Sequence, residues 1–256
     1  MLNITFLGTG TSQGVPIIGS DHPVCLSIDK KDKRLRVSVL IQWKDINMVI
    51  DCGPDFRQQM LLNNVKKLDV LFFTHEHADH TAGLDDIRPF YFRQGDILVY
   101  GTKRVIKNLF KRFNYIFSNK DKYPGAPSVK VNYIKPNEII NLFEKKIIPI
   151  SFMHNSIPVT GYRINDFAYL TDIKTIKEKE LEKLKNLDIL VISSLRIKEH
   201  PNHMNLEESI SLIKKINPNK AYLTHISHLM GFHEEVSKRL PKNIFLAYDN
   251  LKIKSN

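Results

Sequence analysis

Four side chains of kinds that bind metal ions lie close together in the pattern H-x-H-x-D-H: His75, His77, Asp79 and His80. They follow an apolar run at residues 69–73, which we interpret as a buried strand, and active sites of α/β proteins commonly lie at strand ends. Imidazole and carboxylate ligands suit zinc, with iron and manganese as alternatives. One ion cannot easily bind all four from so tight a loop, so the spacing favours two adjacent ions over a solvated polar loop.

Three further metal-binding side chains, His154, Asp172 and His225, each come directly after a short apolar run. A single residue of this kind at a strand end is more often structural. Three of them, together with the histidine-rich loop, are harder to explain in that way. We therefore expect these side chains to face the same rim of a sheet and to complete a metal site there.

Short strands and helices alternate along the chain and would position these residues. Helix 206–216 begins with a capping box, in which Asn205 is followed by Glu208. Helix 55–63 is expected to place Phe56, Met60 and Leu61 on one side. The spacing of Ile106, Leu109, Phe110 and Phe113 predicts a further helix, and others are expected at 175–185 and 234–240. Strands are expected at 4–7, 37–41, 48–51, 97–100, 147–151, 161–164, 168–171, 189–193, 221–224 and 244–248.

Length and composition limit the size and the class of fold that the chain can form. The chain has 256 residues, of which 42% are hydrophobic and 25% charged, enough for one large α/β domain with a full core. No linker or repeat is visible, so we expect residues 1–256 to form one domain. No apolar stretch approaches the roughly 20 residues of a membrane helix, and no signal peptide is visible, so we expect a soluble, cytoplasmic protein. The two cysteines, Cys25 and Cys52, exclude a disulfide framework.

The formal net charge of +11 raises the question of nucleic-acid binding. The lysines are dispersed along the chain, however, and no cluster of arginine and aromatic residues accompanies them. Dispersed charge is typical of a solvated surface. RNA therefore stays open as a partner without being favoured.

Taken together, the sequence resembles the metallo-β-lactamase-fold hydrolases and, within them, the PhnP-like phosphodiesterases, which cleave cyclic phosphates of ribose phosphates and related phosphodiesters. The H-x-H-x-D-H motif is specific to the superfamily, and the flanking segments narrow the resemblance to the subfamily. The matching segments span nearly the whole chain: GTGTS at 8–12, GVP at 14–16, IDCGPDFR at 50–57, THEHADH at 74–80, GLDDIRP at 83–89, YLTD at 169–172, THISH at 224–228 and AYD at 247–249.

The resemblance implies an αββα sandwich, in which helices flank two mixed sheets, and two divalent metal ions, zinc or manganese, at its loops. Two such ions can share a hydroxide that attacks phosphorus. The resemblance also implies a homodimer. The ligands it implies are His75, His77 and His154 for the first ion, Asp79, His80 and His225 for the second, and Asp172 as a bridge between them.

Further residues match the acid and the phosphate contacts of the family. The resemblance implies that His203 is a phosphate-binding general acid, because a protonated imidazole there would bond a non-bridging oxygen or protonate the departing one. His200 ranks second in this role, and Asp79 joins the two as a candidate catalytic residue. Arg88 and Arg196 are candidate phosphate contacts, with a surface salt bridge as the alternative for either.

PhnP-like proteins often carry a separate structural zinc, held by a C-x-C-x-x-C run and a later histidine. Here Ser20 and His22 stand in the places of the first two cysteines, whereas Cys25 and His228 are present. The ligands His22, Cys25 and His228 are one short of the four that a structural zinc needs. Asp21 or water would have to complete the site. The alternative is a remnant loop closed by hydrogen bonds.

The leading hypothesis is a binuclear metal-dependent phosphodiesterase that hydrolyses a small cyclic phosphate or phosphodiester by attack of a metal-bound hydroxide. One alternative is a tRNA 3′-processing endonuclease of the same superfamily, similar to RNase Z. The net charge is its main support, and residues 114–128 are a modest candidate for its tRNA-clamping arm. A β-lactamase or thioesterase fits less well. A non-catalytic metal-binding or nucleic-acid-binding protein with the same fold is a further alternative, although every presumed ligand is intact.

Overall fold

The computed structural model describes residues 1–118 and 122–255, which form two β-sheets between layers of helices. The strands are β1 (Leu2–Gly8), β2 (Ser38–Trp43), β3 (Ile46–Ile50), β4 (Val70–Phe72), β5 (Ile97–Thr102), β6 (Val129–Ile134), β7 (Ile140–Leu142), β8 (Lys145–His154), β9 (Ile157–Ile164), β10 (Phe167–Leu170), β11 (Thr175–Ile176), β12 (Ile189–Ser193), β13 (Lys220–Thr224), β14 (Ile244–Leu246) and β15 (Lys252–Ser255). The helices are α1 (Pro23–Leu26), α2 (Phe56–Leu62), α3 (Ala78–Thr81), α4 (Arg88–Gln94), α5 (Lys103–Arg112), α6 (Asn114–Phe117), α7 (Glu178–Leu181), α8 (Leu206–Ile216) and α9 (His233–Ser237).

Both sheets mix antiparallel and parallel strands. The first has the order β15-β1-β2-β3-β4-β5-β6, and the second the order β11-β8-β9-β10-β12-β13-β14, with β7 paired to β8. Strands β3 to β6 are parallel to one another, as are β10, β12, β13 and β14. Because parallel strands end at a common edge, each sheet gathers the residues that follow these strands along one edge.

The main core lies between the two sheets, and alternation along the strands builds it. Leu2, Ile4 and Phe6 of β1 pack in this inner core, together with Tyr162 of β9. Leu7 points to the opposite face of the first sheet, where helices α2, α4 and α5 cover it. Helices α8 and α9 cover the outer face of the second sheet. The αββα sandwich expected from the resemblance is therefore confirmed.

Helix α8 shows how local sequence sets an element boundary. It begins and ends where the sequence predicts, and the capping box is formed in both directions. The backbone N–H of Glu208 donates to Asn205 Oδ1 at 2.9 Å, and the backbone N–H of Asn205 donates to Glu208 Oε2 at 2.9 Å. These two bonds satisfy N–H groups that have no partner within the helix.

Other local predictions need correction. Residues 175–185 do not form one helix, because the β-branched Thr175 and Ile176 pair with Met153 and Phe152 of β8 before α7 begins. Leu61 is 64% exposed, since one further step of about 100° around the helix turns it away from the face of Met60.

The helix predicted from the spacing of Ile106, Leu109, Phe110 and Phe113 is α5, in which Phe110 is 47% exposed and contacts Phe117 of α6. The segment 114–128 lies partly outside the described residues, because these end at 118 and resume at 122.

Candidate metal centre

The H-x-H-x-D-H segment, called the metal loop below (residues 75–80), leaves the carboxyl end of β4 at the edge of the first sheet. Asp51, at the end of β3, fixes its start by accepting hydrogen bonds from the Thr74 backbone N–H and the Thr74 hydroxyl, both at 2.8 Å. The backbone N–H of Cys52 donates to the carbonyl of His80 at 2.9 Å. A side chain at Gly53 could not fit, since its Cβ would lie 2.0 Å from the carbonyl oxygen of Asp79.

The second sheet brings in the other three side chains that the sequence singles out. His154 ends β8, Asp172 follows β10 and His225 follows β13. Asp172 and His225 have left-handed backbones, with φ of 59° and 56°, as does Asp51 with φ of 63°. Each such residue costs on the order of 1 kcal/mol or more, and strain of this kind concentrates at functional sites. The surrounding structure therefore holds these side chains in place against a local preference.

The side chains of the two sheets meet in one group, the metal cluster, which comprises His75, His77, Asp79, His80, His154, Asp172 and His225. In the metal loop, His75 Nε2 lies 3.0 Å from His77 Nδ1. His80 Nε2 lies 3.1 Å from Asp172 Oδ2 and 3.2 Å from Asp79 Oδ2. His225 Nε2 lies 3.2 Å from Asp172 Oδ1 and 3.6 Å from Asp79 Oδ2. Asp172 is therefore central to the cluster, with one oxygen toward each of two histidines.

The described side chains include three overlapping groups of three residues. Within each group, the atoms that could bind a metal lie within 4.8 Å of one another. The groups are His75 with His80 and Asp172, Asp79 with His80 and His225, and His154 with Asp172 and His203.

Two buried nitrogen atoms without hydrogen-bond partners indicate that the metal cluster can accommodate cations. His80 Nε2 and His225 Nε2 are buried, and neither has a hydrogen-bond partner among residues 1–118 and 122–255. A buried polar atom left unpaired costs about 1–3 kcal/mol. Both nitrogens face carboxylate oxygens, so a divalent cation between them would satisfy nitrogen and oxygen atoms together. The donor set suits zinc, manganese or iron.

Neighbouring groups fix the orientation of three cluster histidines. His80 Nδ1 lies 2.7 Å from Asp51 Oδ2. His75 Nδ1 lies 3.0 Å from Thr74 Oγ1, and His154 Nδ1 lies 2.8 Å from the Asn202 carbonyl oxygen. Each bond engages Nδ1 and leaves Nε2 of the ring available to a metal. Residues behind a metal-binding histidine commonly set its tautomer in this way. Sequence reasoning assigned no role to Asp51. The available signal was an acid directly after the apolar strand β3, as with Asp172 after β10.

Two arginines of α5 also hold the metal loop, and no sequence pattern indicated this role. Arg112 donates to Thr81 Oγ1 at 2.6 Å and to the Glu76 carbonyl at 3.2 Å. Thr81 in turn donates to the carbonyl of His77 at 2.7 Å. Arg104 donates to the Glu76 carboxylate at 2.5 Å. Helix α5 therefore closes the loop from outside.

Acidic side chains in and beside the cluster stabilise positive charge there. Burial disfavours a charged His80, but Asp79, Asp172 and Asp51 outweigh it and raise the pKa of His80 well above its usual value. Burial opposes ionisation of Asp172 as well, yet His225 and His80 hold the pKa of Asp172 well below its usual value. Either a proton on His80 or a metal ion can supply the compensating charge.

The candidate acid His203 lies at the side of the cluster. Its Nδ1 is 3.6 Å from Asp172 Oδ1, and its ring stacks on His225 with centroids 5.0 Å apart. Burial and His225 lower the pKa of His203 to about 3, so the ring is neutral at neutral pH. His200 lies next to it, with ring centroids 5.1 Å apart, and burial and Arg196 lower the pKa of His200.

The two candidate phosphate contacts make hydrogen bonds outside the cluster. Arg88 donates to Asp85 at 2.5 Å, to the Tyr123 hydroxyl at 3.0 Å and to the carbonyl of Gly125. The salt bridge with Asp85 joins positions i and i+3, the alternative considered for this arginine.

Arg196 donates to the carbonyls of Lys198 at 3.2 Å and Glu199 at 2.6 Å, so it shapes the loop that leads to His200.

Two of the side chains considered for the second site accept hydrogen bonds from their own loop. His22 Nδ1 accepts from the Val24 backbone N–H at 3.3 Å, and Cys25 Sγ accepts from the Ile17 backbone N–H at 3.5 Å. The rings of His22 and His228 meet edge to face, with centroids 4.8 Å apart. In the described chain, His22, Cys25 and His228 are not among the groups whose ligand atoms lie within 4.8 Å of one another.

None of the helices within the described residues is both long and apolar enough to cross a membrane.

Comparisons with known proteins agree with this fold. A family model described as the beta-lactamase superfamily domain matches residues 46–226. A solved structure entitled a new diphosphatase from the PhnP family superposes with a TM-score of 0.93 and 40% identity, covering 100% of this chain and 98% of that one.

Two curated relatives are longer than this chain. A protein of Porphyromonas gingivalis named octanoyltransferase is 40% identical over 247 residues, which are 96% of this chain and 50% of that protein. A ribonuclease Z of Prochlorococcus marinus is 26% identical over 219 residues, or 83% of this chain and 60% of that protein. The chain thus spans little more than half the length of the curated relatives it matches.

Proposed function

Since the chain belongs to the metallo-β-lactamase superfamily and to its PhnP-like branch, we propose that it is a binuclear metal-dependent phosphodiesterase acting on a small phosphodiester or cyclic phosphate. The observation that carries this proposal is the metal cluster itself, in which the buried Nε2 atoms of His80 and His225 have no hydrogen-bond partner among the described residues and face carboxylate oxygens of Asp79 and Asp172. The diphosphatase relative adds small diphosphates to the candidate substrates, because hydrolysis of a diphosphate, like that of a phosphodiester, is attack of water on phosphorus with departure of an oxygen leaving group.

We assign the ligands as the resemblance implies. A pair of divalent ions supplies Lewis acidity, which neutralises phosphoryl oxygens and makes a water molecule more acidic. The chain's own contribution is to hold the ligands in place: Asp51 and Thr74 orient the rings of the metal loop, and Arg112 closes that loop. The assigned ligands are His75, His77 and His154 for one ion, Asp79, His80 and His225 for the other, and Asp172 for both.

His203 takes the role of phosphate contact and proton donor. A neutral imidazole can donate one hydrogen bond to a phosphoryl oxygen, and the lowered pKa of His203 means that it gains a second proton only when an anionic oxygen lies beside it. The anionic phosphoryl oxygens of a bound substrate supply this condition, so the ring takes up a proton from solvent when substrate binds and gives that proton to the departing oxygen. His200 is the second choice, because its ring contacts that of His203.

Hydrolysis of bis(p-nitrophenyl) phosphate tests the activity. The metal-free protein should be inactive, reloading with zinc or manganese should restore turnover, and Asp172→Ala should abolish it. A metal-loaded protein that binds two ions per chain but hydrolyses neither this diester nor small cyclic phosphates and diphosphates would support the non-catalytic alternative.

RNA processing is the second candidate function. The net charge of +11 and the ribonuclease Z relatives favour it. The described parts of the segment 114–128 pack against the body of the protein, since Tyr123 accepts a hydrogen bond from Arg88 of α4 and Tyr115 donates one to Asp85. We therefore rank a small substrate first, and cleavage of a precursor tRNA beside a ribose cyclic phosphate separates the two activities.

The octanoyl transfer named for the Porphyromonas gingivalis relative is not part of this proposal, because the match covers 50% of that protein. A single domain over residues 1–256 and a homodimer stay predictions.

A further inference from the structure

A cavity of ≈ 360 Å³ is lined in part by Met153, the residue next to His154 of the metal cluster. Apolar side chains contribute to its lining, among them Phe152, Met153, Pro158 and Ile176. These residues come from the separate strands β8, β9 and β11, which is why no sequence motif indicated the cavity.

Strand pairing places the cavity beside a candidate metal ligand. His154 of β8 pairs with Ile157 of β9, and the adjacent pair is Met153 with Pro158, both of which line the cavity. Met153 also pairs with Thr175 of β11, a third lining residue. Successive residues of a strand are about 3.3 Å apart and neighbouring strands about 4.8 Å. The cavity therefore begins one residue pair away from His154.

The opposite side of the cavity belongs to the same sheet edge as the metal loop. Strands β4, β5 and β6 are parallel, so their carboxyl ends lie together. The metal loop follows β4, Arg104 lies just after β5, and Asn137, which lines the cavity, lies just after β6. Arg104 donates both to the Glu76 carboxylate and to the carbonyl of Pro158. One side chain thus joins the metal loop to the cavity wall.

Hydrogen bonds hold one wall of the cavity in place. The ammonium group of Lys183 donates to Asn137 Oδ1 at 2.9 Å and to Glu180 Oε2 at 2.8 Å. The same oxygen of Glu180 accepts from the Ser151 backbone N–H at 2.9 Å. The carboxylate of Glu180 is therefore already paired with a cation. Lys177 and Lys179 also line the cavity, and both are exposed, so their ammonium groups can stay in water while their aliphatic stems cover apolar surface. Such a surface suits an uncharged apolar group.

We propose that this cavity is a specificity subsite, which receives an apolar or aromatic substituent of the substrate while the phosphoryl group lies at the metal cluster. The inference rests on the proposed function, because it names the class of organic group that the phosphodiester or diphosphate carries. A phenyl or short alkyl group would bury its surface against Met153, Pro158 and Ile176. Burying a group of that size should raise the affinity by about tenfold or more.

Binding of two phosphonates to the metal-loaded full chain tests the subsite without requiring turnover. Calorimetry should show that 4-phenylbutylphosphonate binds at least about tenfold more tightly than methylphosphonate. Ser151 is exposed on β8 and lines the cavity, so Ser151→Trp should fill it and bring the affinity ratio close to one. Ile176→Asp should do the same by placing a charge in the apolar wall. Ile28→Trp is the matched control, because Ile28 is 100% exposed outside the cavity.

Folding of each variant is checked by its circular dichroism and its unfolding temperature. The subsite is rejected if the unsubstituted protein binds both phosphonates equally, or if folded Ser151→Trp and Ile176→Asp keep the original ratio. An equal loss of affinity for both phosphonates in the two variants also rejects it, since that result reports a disturbed cluster. Failure of the proposed function gives a different result, namely an unchanged phosphonate preference without hydrolysis of bis(p-nitrophenyl) phosphate.

Discussion

The ring of His80 bonds Asp51 Oδ2 through Nδ1 at 2.7 Å, and both side chains are completely buried. Asp51 also receives two hydrogen bonds from Thr74, so one carboxylate sets both the ring orientation of His80 and the start of the metal loop. The left-handed backbone of Asp51 shows that the fold maintains this arrangement at a local cost. Asp51 is thus a positioning residue outside the ligand set.

We expect Asp51→Asn to weaken metal binding by about 10–100-fold, the usual effect of removing a carboxylate behind a ligand histidine. The amide keeps the shape but loses the charge that favours Nδ1–H on His80. Competition with a chromophoric chelator measures the affinity. Asp166→Asn is the control, because Asp166 is exposed and its salt bridge with Arg163 lies outside the cluster. Equal affinities in the two variants would remove Asp51 from this role.

His80→Ala should abolish turnover and reduce the amount of bound metal, because it removes a proposed ligand whose Nε2 faces both Asp79 and Asp172. Elemental analysis of the purified variant, beside its rate with bis(p-nitrophenyl) phosphate, checks both effects. A variant that retains a full complement of metal would show that His80 is not a ligand.

His203→Ala should leave the metal content unchanged and slow turnover by about 10²–10⁴-fold, the usual contribution of a general acid. The reduction should be smaller for substrates with good leaving groups, since p-nitrophenolate departs without protonation. A comparison of aryl and alkyl diesters measures this difference. An unchanged rate with alkyl diesters would contradict the assignment, and His200→Ala would then be the next variant to examine.

Arg112→Ala should loosen the metal loop, because it removes the donors to Thr81 and to the Glu76 carbonyl. We expect a loss of about 1–3 kcal/mol in the free energy of unfolding, together with weaker metal binding. Urea denaturation with and without metal separates the two effects. Lys111→Ala is the control, since Lys111 is the exposed neighbour on α5. If both variants behave alike, the loop does not depend on Arg112.

A buried histidine away from the cluster should make the metal-free protein less stable in mild acid. Burial and Arg34 lower the pKa of His233 to about 4, whereas an unfolded chain has a histidine pKa of about 6.5. The unfolded state therefore binds more protons between these values, and the free energy of unfolding falls as the pH drops from about 6.5 to 4.

In His233→Asn, where Asn Oδ1 can still accept from Arg34, the free energy of unfolding should depend less on pH over this range. The difference between the two proteins should change by on the order of 1–2 kcal/mol. Urea denaturation of both metal-free proteins at several pH values measures it. Parallel pH profiles would show that His233 does not titrate in this way.

The sequence predicted the parts of the site that are local in the chain. The spacing of the H-x-H-x-D-H motif and the position of His154, Asp172 and His225 after apolar runs depend on neighbouring residues, so they can be read without a structure. The family resemblance then supplied the sandwich of two sheets. Helix α8 was correct to the residue because its cap and apolar face are both encoded locally.

The predictions that failed, and the features that were missed, depend on tertiary contacts. Thr175 and Ile176 form a strand because β8 is available to pair with them. Arg104 and Arg112 reach the metal loop only because parallel strands place α5 beside it. Likewise, no local pattern announces that Asp51 lies within hydrogen-bond distance of a histidine 29 positions later.

The metal cluster draws its side chains from both layers of the sandwich: the metal loop extends from the first sheet, whereas His154, Asp172 and His225 extend from the second. A motion that slides one sheet over the other would change all the distances between the side chains of the metal loop and those of the second sheet. Ions bound across this junction would therefore resist such motion, and their release would lower the barrier to opening. Catalytic competence and resistance to proteases would then rise and fall together with metal supply in the cell.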